Sequence, residues 1–254
     1  MNCIDSHLHL DAWQYPDIAN AAKVLNSQLV EANVDKGVVL HLQIQPWSVA
    51  EVSKVIQQYP RIEAFVNVHP DDADALQVLE YALKHQHFCG IKLHPRLQKF
   101  SLDHPNLANI CQLAAELSVP ILLDAFPDGT AMMQGFSPLD YAALAKRQPN
   151  TRFIWAHMGG HYVLDMMMLA KRLANVYFDC SYSLLYFRGS SVPQNMIYAM
   201  QSMRFERIFY GSDYPDRDIA SSLNQSLAVF AQFGLTDPQL EKVLYLNFKE
   251  FMAW

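Results

Sequence analysis

Eight times along 254 residues, a short apolar run with strand character is followed by a segment of helical period, and this alternation constrains the fold most. The strand-like runs cover 3–10, 38–41, 62–69, 90–95, 119–126, 152–157, 176–182 and 207–213. Between and after them, apolar residues recur every three or four positions, as on a helix with one buried face. The first such segment, 16–34, carries Ile18, Ala21, Ala22, Leu25, Leu29 and Val34 at that spacing, and Lys36-Gly37 ends it. The others cover 48–58, 71–87, 105–118, 138–147, 161–174, 193–203, 219–233 and 238–251. Regular β–α alternation implies a parallel sheet. Eight units in this length predict a single (β/α)8 TIM barrel over residues 1–254, with an extra C-terminal helix. A doubly wound open sheet is the competing architecture, but no G-x-G-x-x-G follows any strand.

Composition narrows the function. The chain is 51% hydrophobic, enough for one sizeable core, and its net charge of −6 comes without long runs of one sign. No basic stripe marks a nucleic-acid partner, and no apolar run reaches the roughly 18 residues of a membrane span. A small-molecule partner and a cytoplasmic location are the expectations. Cys3, Cys89, Cys111 and Cys180 lie far apart with no C-x-x-C pair, and they read as small buried groups.

The polar residues within these strands point to chemistry. Asp5, His7 and His9 alternate in the first run, so regular strand geometry puts them on one face, where two imidazoles reach one divalent metal. Eight of the ten histidines fall at or after strand C-termini, the active-site face of a barrel. Asp124 and Asp213 end the fifth and eighth strands, where a carboxylate is costly unless paired, hydrogen-bonded or metal-bound. A loop-capping role is the alternative for each. Asp213 converges with His7 and His9 across the seam between the eighth and first strands. Lys92 and His94 share parity and point inward, Lys92 either paired with Asp5 or Asp124 or facing an anionic substrate group. Arg96, Arg188 and Arg217 lie on or near the same face, which suggests a carboxylate-bearing substrate. Phe153 and Trp155 share parity with His157 and should fill the barrel beneath it.

Together, D-x-H-x-H, G-I-K-L-H-P, A-H-x-G-G and G-S-D-Y-P resemble the amidohydrolase superfamily, in the amidohydrolase-related branch of lactonases, hydrolases and aminocarboxymuconate-semialdehyde-type decarboxylases. The resemblance implies His7 and His9 as metal ligands, Asp213 as ligand or proton acceptor, and His157 as a further ligand or the group that polarises the carbonyl. Lys92 stands where binuclear relatives carry a carboxylated lysine. Asp124 stands where metal-binding relatives usually carry histidine, and aspartate is itself a competent ligand.

The expected function is hydrolysis of an ester, lactone or amide with a divalent metal, zinc first and manganese second. Lactonases of the family that work without metal keep a metal-free variant in view. Metal-dependent decarboxylation is the second reading and a catalytically decayed binding barrel the third. The loops 126–137 and 183–192 carry Met132, Met133, Leu184, Leu185, Tyr186 and Phe187, and they suggest a lid over the site or a homodimer contact.

Overall fold

A computed structural model describes residues 2–254 and contains one eight-stranded parallel sheet in sequential order. Its strands are β1 (Ile4–Leu8), β2 (Lys36–Leu40), β3 (Ile62–Asn67), β4 (Phe88–Leu93), β5 (Ile121–Leu123), β6 (Phe153–Trp155), β7 (Val176–Asp179) and β8 (Ile208–Phe209). The ring closes between the last strand and the first. Ser6 N donates to Tyr210 O at 3.0 Å, Asp213 N to His7 O at 2.8 Å and His9 N to Tyr214 O at 2.7 Å. The chain is a (β/α)8 TIM barrel.

Local chemistry starts the helices where the sequence supplies caps. Asp17 accepts from Asn20 N, Ser48 and Glu51 form a capping box, and Asp218 accepts from Ser221 N at 2.7 Å. The observed helices are shorter than the periodic segments. The helix expected over 161–174 occupies Val163–Ala170, because the residues before it form a left-handed turn. Residues 183–192 are not wholly irregular: they contain the short helix Ser183–Tyr186. No helix among the described residues is long and apolar enough to cross a membrane.

Two apolar layers result. The larger lies between strands and helices and takes Ile91 and Leu93 of β4, with Phe153 and Trp155 of β6. The smaller fills the barrel itself and contains Ile4, Val38, Leu40, Phe65, Leu122, Ile154 and Phe209. The expected parity of β6 is therefore corrected: Ile154, not Phe153 or Trp155, faces inward. The reason is that β6 has only three residues, and the chain then turns through positive φ at His157 (61°) and Met158 (50°). Counting by twos across that turn gives the wrong face. Gly90 of β4 is required by the inner packing, since a Cβ there would lie 2.6 Å from the Phe65 ring.

At the N-terminal end of the strands, the barrel is plugged by the last helix. The segment 237–252 is helical throughout, with a π-turn at Lys242–Leu246. Phe248 packs edge-on against Phe209 and Phe251 packs tilted against it, with ring centroids 5.0 and 5.1 Å from that of Phe209. Asn247 Nδ2 donates to Phe205 O and Ile208 O, and Arg152 Nη1 to Phe251 O, so the plug is tied to the strand starts. Chemistry is left to the opposite end. Phe248→Ala is expected to cost about 3–5 kcal/mol in equilibrium denaturation, the range for a large aromatic removed from a core. A loss under about 1 kcal/mol would show that the plug is not part of the core.

Candidate active site

The C-terminal mouth holds a cavity of about 200 Å³ walled by His7, His9, Lys92, His94, Arg96, Asp124, His157 and Asp213, among others. Each comes from a strand end or the turn after it. β1 and β2 lose regular register between Asp5 and Leu8, which lets His7 and His9 both turn inward while Leu8 and Leu10 pack outward. Asp5 does not join them. Its carboxylate accepts from His7 N at 3.2 Å and Ser212 N at 2.9 Å and lines no part of the cavity, so the expected common face of Asp5, His7 and His9 is corrected.

Hydrogen bonding decides which imidazole nitrogens carry protons. His7 Nδ1 lies 3.1 Å from Asp179 Oδ2, an acceptor, so it bears the hydrogen and Nε2 is left as a lone pair. His9 Nδ1 lies 2.7 Å from Leu40 O, with the same consequence. Both bare Nε2 atoms face Asp213 Oδ1, at 3.2 and 3.7 Å. Three electron-pair donors converge with no hydrogen among them. Burial, reinforced by the Lys92 charge, pushes His9 down to about 3. Burial also puts His7 well below its ordinary value, against the pull of Asp179. Burial pushes Asp213 up to about 6, opposed by His157 and Lys92.

This donor set fits a divalent cation. The ligating atoms of His7, His9 and Asp213 lie within 4.8 Å of one another, and two neutral imidazoles with a carboxylate are the ligand types zinc takes. Behind them, Asp179 fixes the His7 tautomer in the way a carboxylate orients a ligating histidine.

His157 is in the opposite state. Its Nδ1 faces Ser181 O at 3.2 Å and Ser181 Oγ at 2.9 Å, while its Nε2 faces Asp124 Oδ1 at 3.3 Å. The serine hydroxyl is committed as a donor to Asp179 Oδ1, so both imidazole nitrogens meet acceptors and both carry hydrogens. Burial lowers the His157 pKa, but the bond to Asp124 and the charges of Asp213 and Asp179 outweigh it and the net shift is upward. A ligating atom of its ring also lies within 4.8 Å of those of His7 and Asp179, a second group of metal-ligand type. His157 is built as a donor.

Asp124 is drawn away from the histidine pair of β1. It contacts His157, His94 Nδ1 at 3.4 Å and Arg96 Nε at 3.7 Å, and Arg96 Nη1 pairs with Asp128 at 2.9 Å. Burial alone would raise Asp124, yet these neighbours and Lys92 hold it well below the usual carboxylate range. His94 is pushed down to about 3 by burial against the charge of Asp124. Lys92 is buried, and its pKa is lowered by burial against the charges of Asp124, Asp179 and Asp213. It makes no direct ion pair among the described residues, with Asp5 or with Asp124. The structure does not bring Arg188 or Arg217 to the cavity: Arg188 is exposed, and Arg217 pairs with Asp216 at 3.5 Å. The two apolar loops meet above His157. The Phe126 ring lies 5.8 Å from His157, 4.9 Å from Tyr182 and 5.4 Å from Tyr186.

Sequence reasoning missed Asp179 and Ser181. The signal was present, since Val176-Tyr177-Phe178-Asp179 is another apolar run closed by a carboxylate, the same pattern that singled out Asp124 and Asp213.

A family model described as "Amidohydrolase" matches residues 4–250. The chain belongs to the amidohydrolase family. Among solved structures it is similar to a probable 2-pyrone-4,6-dicarboxylic acid hydrolase from Acinetobacter baumannii with bound citric acid, at 19% identity, TM-score 0.69 and 100% coverage of both chains. It is also similar to a Burkholderia multivorans amidohydrolase with bound zinc, at 16% identity and TM-score 0.72 over 100% of this chain and 99% of that one. The 5-carboxyvanillate decarboxylase of Sphingomonas paucimobilis matches at 11% identity and TM-score 0.68 over 99% of each chain. At these identities the likeness is one of fold. No curated protein matches the chain by sequence.

Asp5 provides a test of this electrostatic arrangement. Burial pushes its carboxyl up to about 7, against hydrogen bonds from Ser212 and His7. A folded pKa raised above the unfolded value of about 3.9 gives stability that is full below that value and is lost as pH rises through about 7. Asp5→Asn keeps the shape and removes the titration. In chelator-treated protein, the variant's melting temperature is expected to gain on wild type steadily from pH 4 to 7.5. An offset that does not change with pH would contradict the assignment.

Proposed function

We propose that this amidohydrolase-family protein is a metal-dependent hydrolase of an ester, lactone or amide bond in a small, carboxylate-bearing substrate. One observation carries the reading: two imidazole lone pairs and the Asp213 carboxylate converge without a hydrogen among them. His7, His9 and Asp213 would hold the ion, zinc first by its preference for such ligands and manganese second. A divalent ion there supplies Lewis-acid polarisation of the scissile carbonyl and the attacking water.

The chain's own residues do the rest. Asp213 accepts a proton from the water as its oxygen bonds to the carbonyl carbon, then delivers it to the departing oxygen or nitrogen as that bond breaks. Its position, half-buried on the cavity wall, suits this exchange near neutral pH. His157, hydrogen-bearing on both nitrogens and held by Asp124 and Ser181, stabilises the developing oxyanion through its charge at the cavity wall. Lys92, unpaired at the cavity floor, and Arg96 draw the substrate carboxylate into place.

The same cationic His157 favours one other reading, loss of CO₂ with protonation of the carbon left behind. The two reactions are separated by product analysis on a panel of lactones, esters, amides and aromatic acids, comparing zinc-loaded with chelator-stripped protein. Hydrolysis that depends on the ion is expected, and Asp213→Asn should lower kcat/KM by about two orders of magnitude or more. CO₂ release would favour the second reading, and metal-independent turnover would refute the role given to the ion. Asp179→Asn, which replaces the carboxylate behind His7, is expected to weaken zinc binding about 10- to 100-fold by calorimetry with the fold intact. Unchanged affinity would place the ion elsewhere.

A further inference from the structure

We infer that the groove between the loops following β1 and β2 binds an apolar acyl or aryl arm of the substrate, of benzyl size or larger. The groove has a volume of about 360 Å³, near the lower end of the roughly 300–1,000 Å³ typical of small-molecule sites. Leu10, Ala12, Trp13, Leu42, Ile44 and Pro46 form its walls, and its one titratable neighbour is His9. It shares His9, Leu42 and Pro215 with the mouth cavity, so the two adjoin. The inference rests on the proposed function only in placing the reacting carbonyl at that mouth.

Three further observations support a ligand arm here. First, Trp13 and Ile44 are 97% and 66% exposed, and both stand in the walls of this one groove. Single exposed apolar residues are ordinary, but an apolar groove that adjoins a reaction cavity is a binding feature. Second, the loops that carry the walls are already held in place. Gln45 Nε2 donates to Leu10 O at 2.7 Å, Trp47 Nε1 to Pro16 O at 3.3 Å, and Trp13 N and Gln14 N both to Asp11 Oδ1 at 3.0 Å. A preformed groove spares an arriving ligand the cost of ordering it. Third, polarity divides sharply between the two spaces. Lys92, Arg96, Asp124 and Asp213 all line the mouth, and none lines the groove. A molecule spanning both is amphiphilic, with its polar, reacting end at the ion-binding residues and an apolar tail along Trp13.

Phenylalkanoates test the inference by binding alone, whether or not any substrate is turned over. Acetate, phenylacetate and 4-phenylbutyrate are titrated into the full chain, zinc-loaded and chelator-stripped. Affinity is followed by calorimetry and Trp13 burial by acrylamide quenching of fluorescence; Trp47 and Trp155 are already buried, and Trp254, packed on Phe248 at the other end of the barrel, gives a constant background. Each buried methylene strengthens binding about fourfold, so 4-phenylbutyrate is expected to bind at least 50-fold tighter than acetate and to shield the exposed tryptophan. Trp13→Ala and Ile44→Ser should each weaken 4-phenylbutyrate about tenfold while leaving acetate unchanged, and Trp13→Phe should restore most of the loss. Both side chains are exposed, so neither change threatens the fold. Equal affinity for acetate and 4-phenylbutyrate would overturn the inference. So would shielding that appears only as protein concentration rises, which would assign the groove to a second copy of the chain. Tight 4-phenylbutyrate binding without hydrolysis of any substrate would refute the proposed function and leave the groove standing. Hydrolysis of short esters with no dependence on chain length would do the reverse.

Discussion

The site depends on how the eighth strand meets the first. β8 is only two residues long, and the segment after it continues along β1 through single hydrogen bonds instead of a regular ladder. Gly211 makes this approach possible, because a Cβ there would lie 2.7 Å from the Cβ of His7 and 2.9 Å from that of Ser181. Asp213 N then bonds to His7 O, and Asp213 takes a left-handed backbone (φ 61°), unusual for a residue with a side chain. That turn holds the Asp213 carboxylate against the two imidazoles of β1. Asp5 supports the same seam from behind by accepting from Ser212 N. A barrel closed by a longer, regular eighth strand would carry its last side chains past the mouth.

From this seam, buried charge is sorted into two groups around one cavity. His7 and His9 give their Nδ1 hydrogens to Asp179 and to a backbone carbonyl, and stay neutral with lone pairs inward. His157 meets acceptors at both nitrogens and stays charged. The serine between them joins the two groups, since Ser181 Oγ lies 3.2 Å from His7 Nδ1 and 2.9 Å from His157 Nδ1. Groups of one chemical type thus take opposite protonation states from their partners alone, and pairs pushed apart in this way divide acid from base roles in active sites. Asp124, the residue that departs from the expected histidine, sits with the charged His157 and Arg96 and beside the neutral His94.

Much of this was legible before any coordinates. The eightfold alternation defined the barrel, because a parallel strand and its covering helix have different hydrophobic periods. The inward direction of Lys92 followed from parity, because β4 is regular from Ile91 to Leu93 and both neighbours pack outward. Parity failed where strands are short or irregular. The register shift in β1 separates Asp5 from His7, and the left-handed turn after β6 reverses the face expected of Phe153 and Trp155. Sequence cannot show such breaks when non-glycine residues adopt positive φ, as His157 and Asp213 both do. Arg188 and Arg217 illustrate another limit. Both were assigned by closeness to strand ends, but loop residues have no periodicity to say which way they point. Asp179 was readable and overlooked, for it closes an apolar strand as Asp213 does.

The central claim is that one divalent ion is held at the β8–β1 seam. The direct measurement is an anomalous difference map from a zinc-soaked crystal, with data collected above and below the zinc absorption edge. The account predicts one strong peak in bonding range of His7 Nε2, His9 Nε2 and Asp213, with His157 Nε2 still facing Asp124. A peak centred on Asp124 and His94 instead, or none at the seam after soaking, would contradict it.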